Sequence, residues 1–192
     1  MPNTSKIESP LPDQSRTALL VIDIQDRLAP AMPHAVLASV LRNTRILIET
    51  ACEFSLPILV TEQYPKGLGR TVPELTAVLP PESVPFEKVS FSCCAEPGFT
   101  PLLETLGDRD IIVCGIETHV CVLQSTLDLL AAGRRVFVAA DATCSRAKMN
   151  WRLGLDLMRQ AGAGIGSTEI FAFALLRAAG TDRFKRISRL VK

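Results

Sequence analysis

Four short runs of branched, apolar residues punctuate the chain: TALLVIDI (17–24), PILVTE (57–62), DIIVCG (110–115) and RVFVAAD (135–141). Their apolar positions are consecutive rather than alternate. A strand reads this way when both of its faces are covered, as in a parallel sheet layered by helices. Between the runs lie stretches with helical spacing. In 34–54, Val36, Val40, Leu41, Ile48 and Ala51 recur at that period; 99–106, 118–133 (closed by Gly133) and 146–161 follow. VPFEKVSF (84–91) adds a short strand, and GIGSTEI (164–170) ends a sixth, with a helix resuming at Thr168. Strand and helix alternate throughout, which demands crossover connections. The expected fold is α/β, a three-layer αβα sandwich around a mainly parallel sheet of about six strands.

The chain has 192 residues, of which 47% are hydrophobic and 21% charged, with a formal net charge of +1. That suits one domain, over 17–192, preceded by a flexible arm over 1–16. The arm, MPNTSKIESPLPDQSR, lacks the apolar core of a signal peptide, and no apolar run is long enough to span a bilayer. A cytoplasmic protein with no membrane partner is expected. The near-zero charge offers no field for nucleic acid, and the mildly basic tail DRFKRISRLVK reads as a solvated helix end. Six cysteines (Cys52, Cys93, Cys94, Cys114, Cys121, Cys144) in a chain of this length and apolarity favour reduced thiols over a disulfide framework. With no CxxC and only His34 and His119 as histidines, the spacings do not suit zinc.

In open α/β sheets, ligands bind at the carboxyl ends of the strands. That rule selects Asp23, Glu62, Lys88, the segment 115–121 and Asp141. Taken singly, each has a plain structural alternative. Asp23 could cap the turn through QDR, and Lys88 could snorkel from an edge strand. Cys121 lies in CGIETHVCVLQST (114–126). If Thr118 is the N-cap, Cys121 falls at the third helical position, where the helix's positive end favours a thiolate and free N–H groups could bind an oxyanion. Helix position alone leaves it balanced between a nucleophile and a buried structural thiol. His119 is two residues from Cys121, a spacing that does not bring side chains face to face, so an Asp–Lys partnership fits better than a Cys–His pair. His119 then lines the pocket or faces solvent.

TALLVIDIQD, the lysine of FEKVSFS and the segment VCGIETHVCV together resemble the isochorismatase-like cysteine hydrolases, over about residues 17 to 180. The resemblance implies a catalytic triad of Asp23, Lys88 and Cys121, in which the aspartate takes the thiol proton and the thiolate attacks a small amide-type carbon. A covalent thioester then forms and is hydrolysed. It also implies a cis peptide at Ile116–Glu117, with the N–H groups of Glu117 and Cys121 as oxyanion hole. Gln63, Tyr64, Thr118 and His119 are candidates for the substrate pocket. Nicotinamidases of this family carry a metal-binding Asp-x-His after the second strand. Here that stretch is TEQYPKGLG, without histidine, so no metal and no other cofactor is expected. TEQYPKGLG with TVPEL looks most like the isochorismatase domain-containing subgroup. The family implies homo-oligomers, dimers or tetramers, and the apolar stretch IFAFALLRAAG is either buried or paired with another subunit. Two alternatives from other classes are a catalytically silent binding or scaffold protein and a redox-sensing thiol protein. In the second, Cys114 or Cys144 would resolve a sulfenic acid on Cys121.

Overall fold

The computed structural model describes residues 9–192. Six strands, β1 (Thr17–Ile22), β2 (Ile58–Gln63), β3 (Phe86–Lys88), β4 (Asp110–Ile116), β5 (Val136–Cys144) and β6 (Gly164–Gly166), form one parallel sheet in the order β3-β2-β1-β4-β5-β6. Eight α-helices connect and cover them: α1 (His34–Glu53), α2 (Pro65–Leu68), α3 (Pro73–Thr76), α4 (Phe99–Glu104), α5 (Leu123–Ala131), α6 (Lys148–Gln160), α7 (Thr168–Leu176) and α8 (Asp182–Leu190). Residues 1–8 of the expected arm lie outside the described residues. The rest of it is tied to the body, where Arg135 donates to Ser9 O at 2.5 Å and Arg177 pairs with Asp13 at 3.4 Å.

Successive side chains of a strand point to opposite faces. Accordingly Leu19 and Val21 of β1 join one core with α1, α3 and α7, whereas Ala18, Leu20 and Ile22 join a second with α4, α5 and α6. The consecutive apolar letters of the first strand thus feed two layers, the condition that made them legible as a covered parallel strand. The stretch IFAFALLRAAG is buried on one face only, with Ile170 and Phe173 exposed on the other. Phe171, Ala172, Ala174 and Leu175 of α7 are buried, and Phe173 meets Phe184 of α8 edge-to-face with ring centroids 6.2 Å apart.

Three boundaries depart from the sequence reading. β1 stops at Ile22 because Asp23 turns into the left-handed region at φ 53, which short polar residues tolerate. β3 is three residues long rather than eight. Glu96 Oε1 accepts the Val89 and Ser90 N–H groups at 2.8 and 2.6 Å, which takes them out of any ladder. The helix expected from Thr118 opens instead with a π turn, Thr118–Val122, before α5 begins at Leu123. Gly115, at φ 129 on β4, has the Ile22 backbone where a Cβ would sit, so this close approach of β4 to β1 admits no side chain.

Candidate active site

The strand order reverses between β1 and β4, and the crevice of a doubly wound sheet opens at such a point. Asp23 leaves the end of β1 there, fully buried, with Lys88 from the end of β3 beside it. Lys88 Nζ lies 2.7 Å from Asp23 Oδ2 and 2.7 Å from Gln63 Oε1, and 3.2 and 3.0 Å from the carbonyl oxygens of Ser90 and Phe91. The turn that shortens β3 therefore supplies two of the lysine's acceptors. The other Asp23 oxygen accepts from Thr61 Oγ1 at 2.7 Å, while Asp23 N–H donates to Thr61 O at 3.1 Å. An ammonium with four acceptors around its three N–H donors and a carboxylate bound on both oxygens are stable in a dry setting.

Cys121 faces this pair and is 5% exposed. Burial first, and then the Asp23 carboxylate by charge and hydrogen bonding, push its thiol up to about 12 against the opposing pull of Lys88. This corrects the expectation of a thiolate favoured by the helix end. Desolvation and the neighbouring carboxylate act against that partial charge and favour the protonated thiol. The N-cap expectation is also corrected. Glu117 occupies the capping position, and Cys121 is the fourth residue of the turn, not the third. Thr118 Oγ1 caps nothing and is buried without a hydrogen-bond partner. The π geometry makes Glu117 O accept from the N–H groups of Val120 (3.1 Å) and Val122 (3.3 Å) rather than from that of Cys121. The Ile116–Glu117 peptide is cis.

The remaining candidates separate. Gln63 is buried and serves Lys88, with its own amide donating to Val89 O at 2.5 Å and its N–H to Gln25 Oε1 at 2.8 Å. Tyr64 is 53% exposed; its backbone N–H donates to Lys88 O at 2.7 Å. His119 neither faces open solvent nor joins the Asp23–Lys88 pair. Its Nδ1 is 2.9 Å from Ser145 Oγ, and its Nε2 is 3.3 Å from Asn150 Nδ2. The Glu117 carboxylate meets Arg146 at 3.1 Å. Glu62, near the end of β2, and Asp141, which lies within β5 and not at its end as expected, are structural. Glu62 holds Thr71 and Arg70, and Asp141 accepts the Thr168 N–H at the start of α7. Thr61 and Gln25 escaped the sequence reading, since their part depends on the pairing of β1 with β2, which a single sequence does not display.

A cavity of about 600 Å³ opens on the other side of the turn, between α1 and the end of β5. Val36, Val40, Cys144 and Trp151 help to line it, and Asp23, Lys88 and Cys121 do not. Cys114 and Cys144 belong to the α1 core and Cys121 to the α5–α6 core, so the sheet stands between them. They are not placed to resolve a sulfenic acid on Cys121, which corrects that redox alternative. Among the described residues, no three His, Cys, Asp or Glu side chains converge as metal ligands, and no helix is long and apolar enough to cross a membrane.

Like Cys121, Cys114 and Cys144 are pushed up from the ordinary 9.0 to about 12, in both cases chiefly by burial. Between those values the folded chain keeps protons that the unfolded chain has lost, so stability falls as pH rises across that window. Thermal melts at about pH 8 and about pH 11 should show a lower Tm at the higher pH, and Cys114→Ala with Cys144→Ala should reduce the drop. An equal drop in that variant would refute the assignment to these thiols.

A carboxylate, an ammonium and a thiol at the switch point of a doubly wound parallel sheet define an α/β protein with an enzyme-like crevice. The chain belongs to the isochorismatase domain family, whose model matches residues 17–170, and with it to the isochorismatase-like hydrolases. It is 34% identical over 176 residues to isochorismatase domain-containing protein 1 of Salmo salar, covering 92% of this chain and 61% of that protein, so it spans less than two thirds of that relative. It is 39% identical over 159 residues to the secreted isochorismatase effector Isc1 of Phytophthora sojae, covering 81% and 76%. Among solved structures it is similar to the MAR1 ribonuclease of Caenorhabditis elegans, with a TM-score of 0.87, 36% identity and 94% and 92% coverage. It is also similar to the YcaC gene product of Escherichia coli, an octameric hydrolase of unknown specificity, with a TM-score of 0.80, 26% identity and 86% and 82% coverage.

Proposed function

We propose that the chain is a cysteine hydrolase that cleaves the C–N bond of a small amide-type substrate. The Asp23 carboxylate takes the Sγ proton of Cys121 as the sulfur bonds to the carbonyl carbon. Negative charge moves to the carbonyl oxygen, which the N–H groups of Glu117 and Cys121 receive. The C–N bond breaks, the amine leaves with the proton held by Asp23, and a thioester remains. Water then gives its proton to Asp23 and its oxygen to the carbon, and the C–S bond breaks to restore the thiol. Lys88 keeps the carboxylate in place and offsets its charge at each stage. No metal enters these steps, and the cytoplasm is the proposed setting.

The observation that carries the reading is the buried Asp23–Lys88 pair, 2.7 Å apart, set against a buried thiol whose surroundings favour its protonated form. A nucleophile in that state needs a base within reach, and Asp23 raises the thiol through a hydrogen bond of its own. The ribonuclease neighbour from C. elegans supports a second reading, cleavage of RNA. One assay separates the two. The full chain is incubated with a panel of small amides, ureas and N-carbamoyl compounds, and with RNA, while intact mass is followed. The hydrolase reading expects amine release from at least one small compound, with a transient acyl adduct on Cys121 that is absent from Cys121→Ala. RNA cleavage that persists in Cys121→Ala, with no turnover of the panel, would overturn it.

A further inference from the structure

The turn that follows β3 carries two adjacent cysteines. Cys93 and Cys94 open a short 3-10 helix, Cys93–Ala95, and Ser92 ahead of it accepts the Cys94 N–H on its Oγ at 3.2 Å. The two thiols differ sharply in setting. Cys93 is 0% exposed, and its N–H donates to Ser125 Oγ at 3.1 Å. Cys94 is half-buried at the edge of the same core. A hydrogen bond from the Cys93 thiol lowers Cys94 below the ordinary thiol value, against burial and the Asp128 charge. The same bond, with burial, raises Cys93. Cys52, Cys114, Cys121 and Cys144 are raised as well, so Cys94 stands apart. An outer thiol eased towards thiolate, beside an inner one that keeps its proton, divides the work as an attacking and a resolving cysteine do.

We infer that Cys93 and Cys94 form a dithiol site for hydroperoxides, which closes to a disulfide between adjacent residues and unsettles the seat of Lys88. The Cys94 thiolate attacks one peroxide oxygen, the O–O bond breaks, and the departing oxygen takes up a proton. Cys94 is then a sulfenic acid. The Cys93 sulfur displaces that hydroxyl, which leaves as water with the Cys93 proton, and the S–S bond forms. With hydrogen peroxide, two thiols and one oxidant give one disulfide and two waters. The consequence for Lys88 follows from geometry. Cα atoms joined by a trans peptide lie about 3.8 Å apart, less than the about 4.4–6.8 Å that a disulfide usually spans, so the turn must rearrange as the bond closes. That turn is lightly held, by Ala95 N–H on Ser92 O at 3.3 Å and Glu96 N–H on Cys93 O at 3.2 Å. Glu96 in turn holds the Val89 and Ser90 N–H groups, and the Ser90 and Phe91 carbonyls are two of the four acceptors of Lys88. Disulfides made under strain are readily reduced, so thiols should reverse the change.

Peptide mass and amide exchange test the inference, and because no activity is measured it stands or falls apart from the hydrolase reading. The full chain is treated with hydrogen peroxide, alkylated and cut with trypsin. The peptide 89–109 holds Cys93, Cys94 and no other cysteine. It should lose two hydrogens and both alkylation sites, and regain them with dithiothreitol. In Cys93→Ser, which keeps an O–H donor for Cys94, the reaction should stop at a sulfenic acid that dimedone traps. Cys94→Ser should give neither product. In the oxidised parent the Val89 and Ser90 amides should exchange with deuterium at least about tenfold faster. Should Cys93→Ser fail to fold, the parent's peptide mass and exchange still decide. A peptide 89–109 that keeps both thiols, a disulfide from either cysteine to Cys121 instead, no dimedone adduct in a folded Cys93→Ser, or exchange unchanged by oxidation would each overturn it.

Discussion

Cys121→Ala should lower turnover of any substrate found for this chain by at least about a thousandfold, because nothing else in the crevice can form the bond that the mechanism requires. The thiol is 5% exposed, and the variant removes one sulfur from a packed wall, so the fold should survive at a modest cost. Cys121→Ser is the sharper form of the experiment. It keeps an O–H in nearly the same place, yet a hydroxyl is far harder to deprotonate, and the Asp23 carboxylate that serves a thiol would not generate an alkoxide. Steady-state kinetics on both variants, with circular dichroism to show that each is folded, decide the matter. If Cys121→Ser turns over at the parent rate, the nucleophile lies elsewhere.

Asp23→Asn should move two measurements in opposite directions. Turnover should fall by about a hundred- to ten-thousandfold, the usual range for loss of a general base. Alkylation of Cys121 by iodoacetamide at mildly alkaline pH should become faster. The sign follows from the electrostatics. Burial raises the thiol first, the Asp23 charge raises it further, and Lys88 lowers it. Replacing the carboxylate with an amide removes one raising influence and leaves the lowering one, so more of the sulfur is thiolate, the form that alkylates. A purely structural role for Asp23 would disturb both measurements in the same sense. Asparagine is the informative choice because Lys88 keeps Gln63 and two carbonyls as acceptors. Deleting the lysine instead would strand a buried carboxylate, a change costing about 3–5 kcal/mol that would confuse chemistry with unfolding. Slower alkylation in a folded Asp23→Asn would refute the proposed pairing.

Both outcomes bear on the kind of nucleophile this is. A cysteine activated in advance, as at an exposed helix start, is open to any electrophile that meets it. In the proposed mechanism the sulfur keeps its proton until a substrate carbon is within reach of it, which would tie reactivity to occupancy of the crevice. The exposed parts of the region, Tyr64 and Phe91, sit outside this dry centre at 53% and 54% exposure.

The layering of the fold was legible in the letters themselves. Apolar runs without alternation can be satisfied only between two helical layers, and periodicity is a local property that a single sequence displays in full. The same letters put Asp23, Lys88 and Cys121 at the carboxyl ends of strands. What they could not show is which carboxylate meets the lysine, since Asp23, Glu62 and Asp141 all read as strand ends. The choice lies with the pairing of β1, β2 and β3, through which Asp23 and Lys88 meet across 65 positions while Glu62 turns to Thr71 and Arg70. Nor could sequence weigh burial against the helix end at Cys121, or put Cys114 and Cys144 across the sheet from it, because desolvation and facing arise only when distant segments pack.

The chain therefore specified by itself its layers and the residue types at their rim. Tertiary structure decided the partners and the protonation. The division has a physical origin: secondary-structure period is set by neighbours along the backbone, whereas charge pairing and dryness are set by neighbours through space.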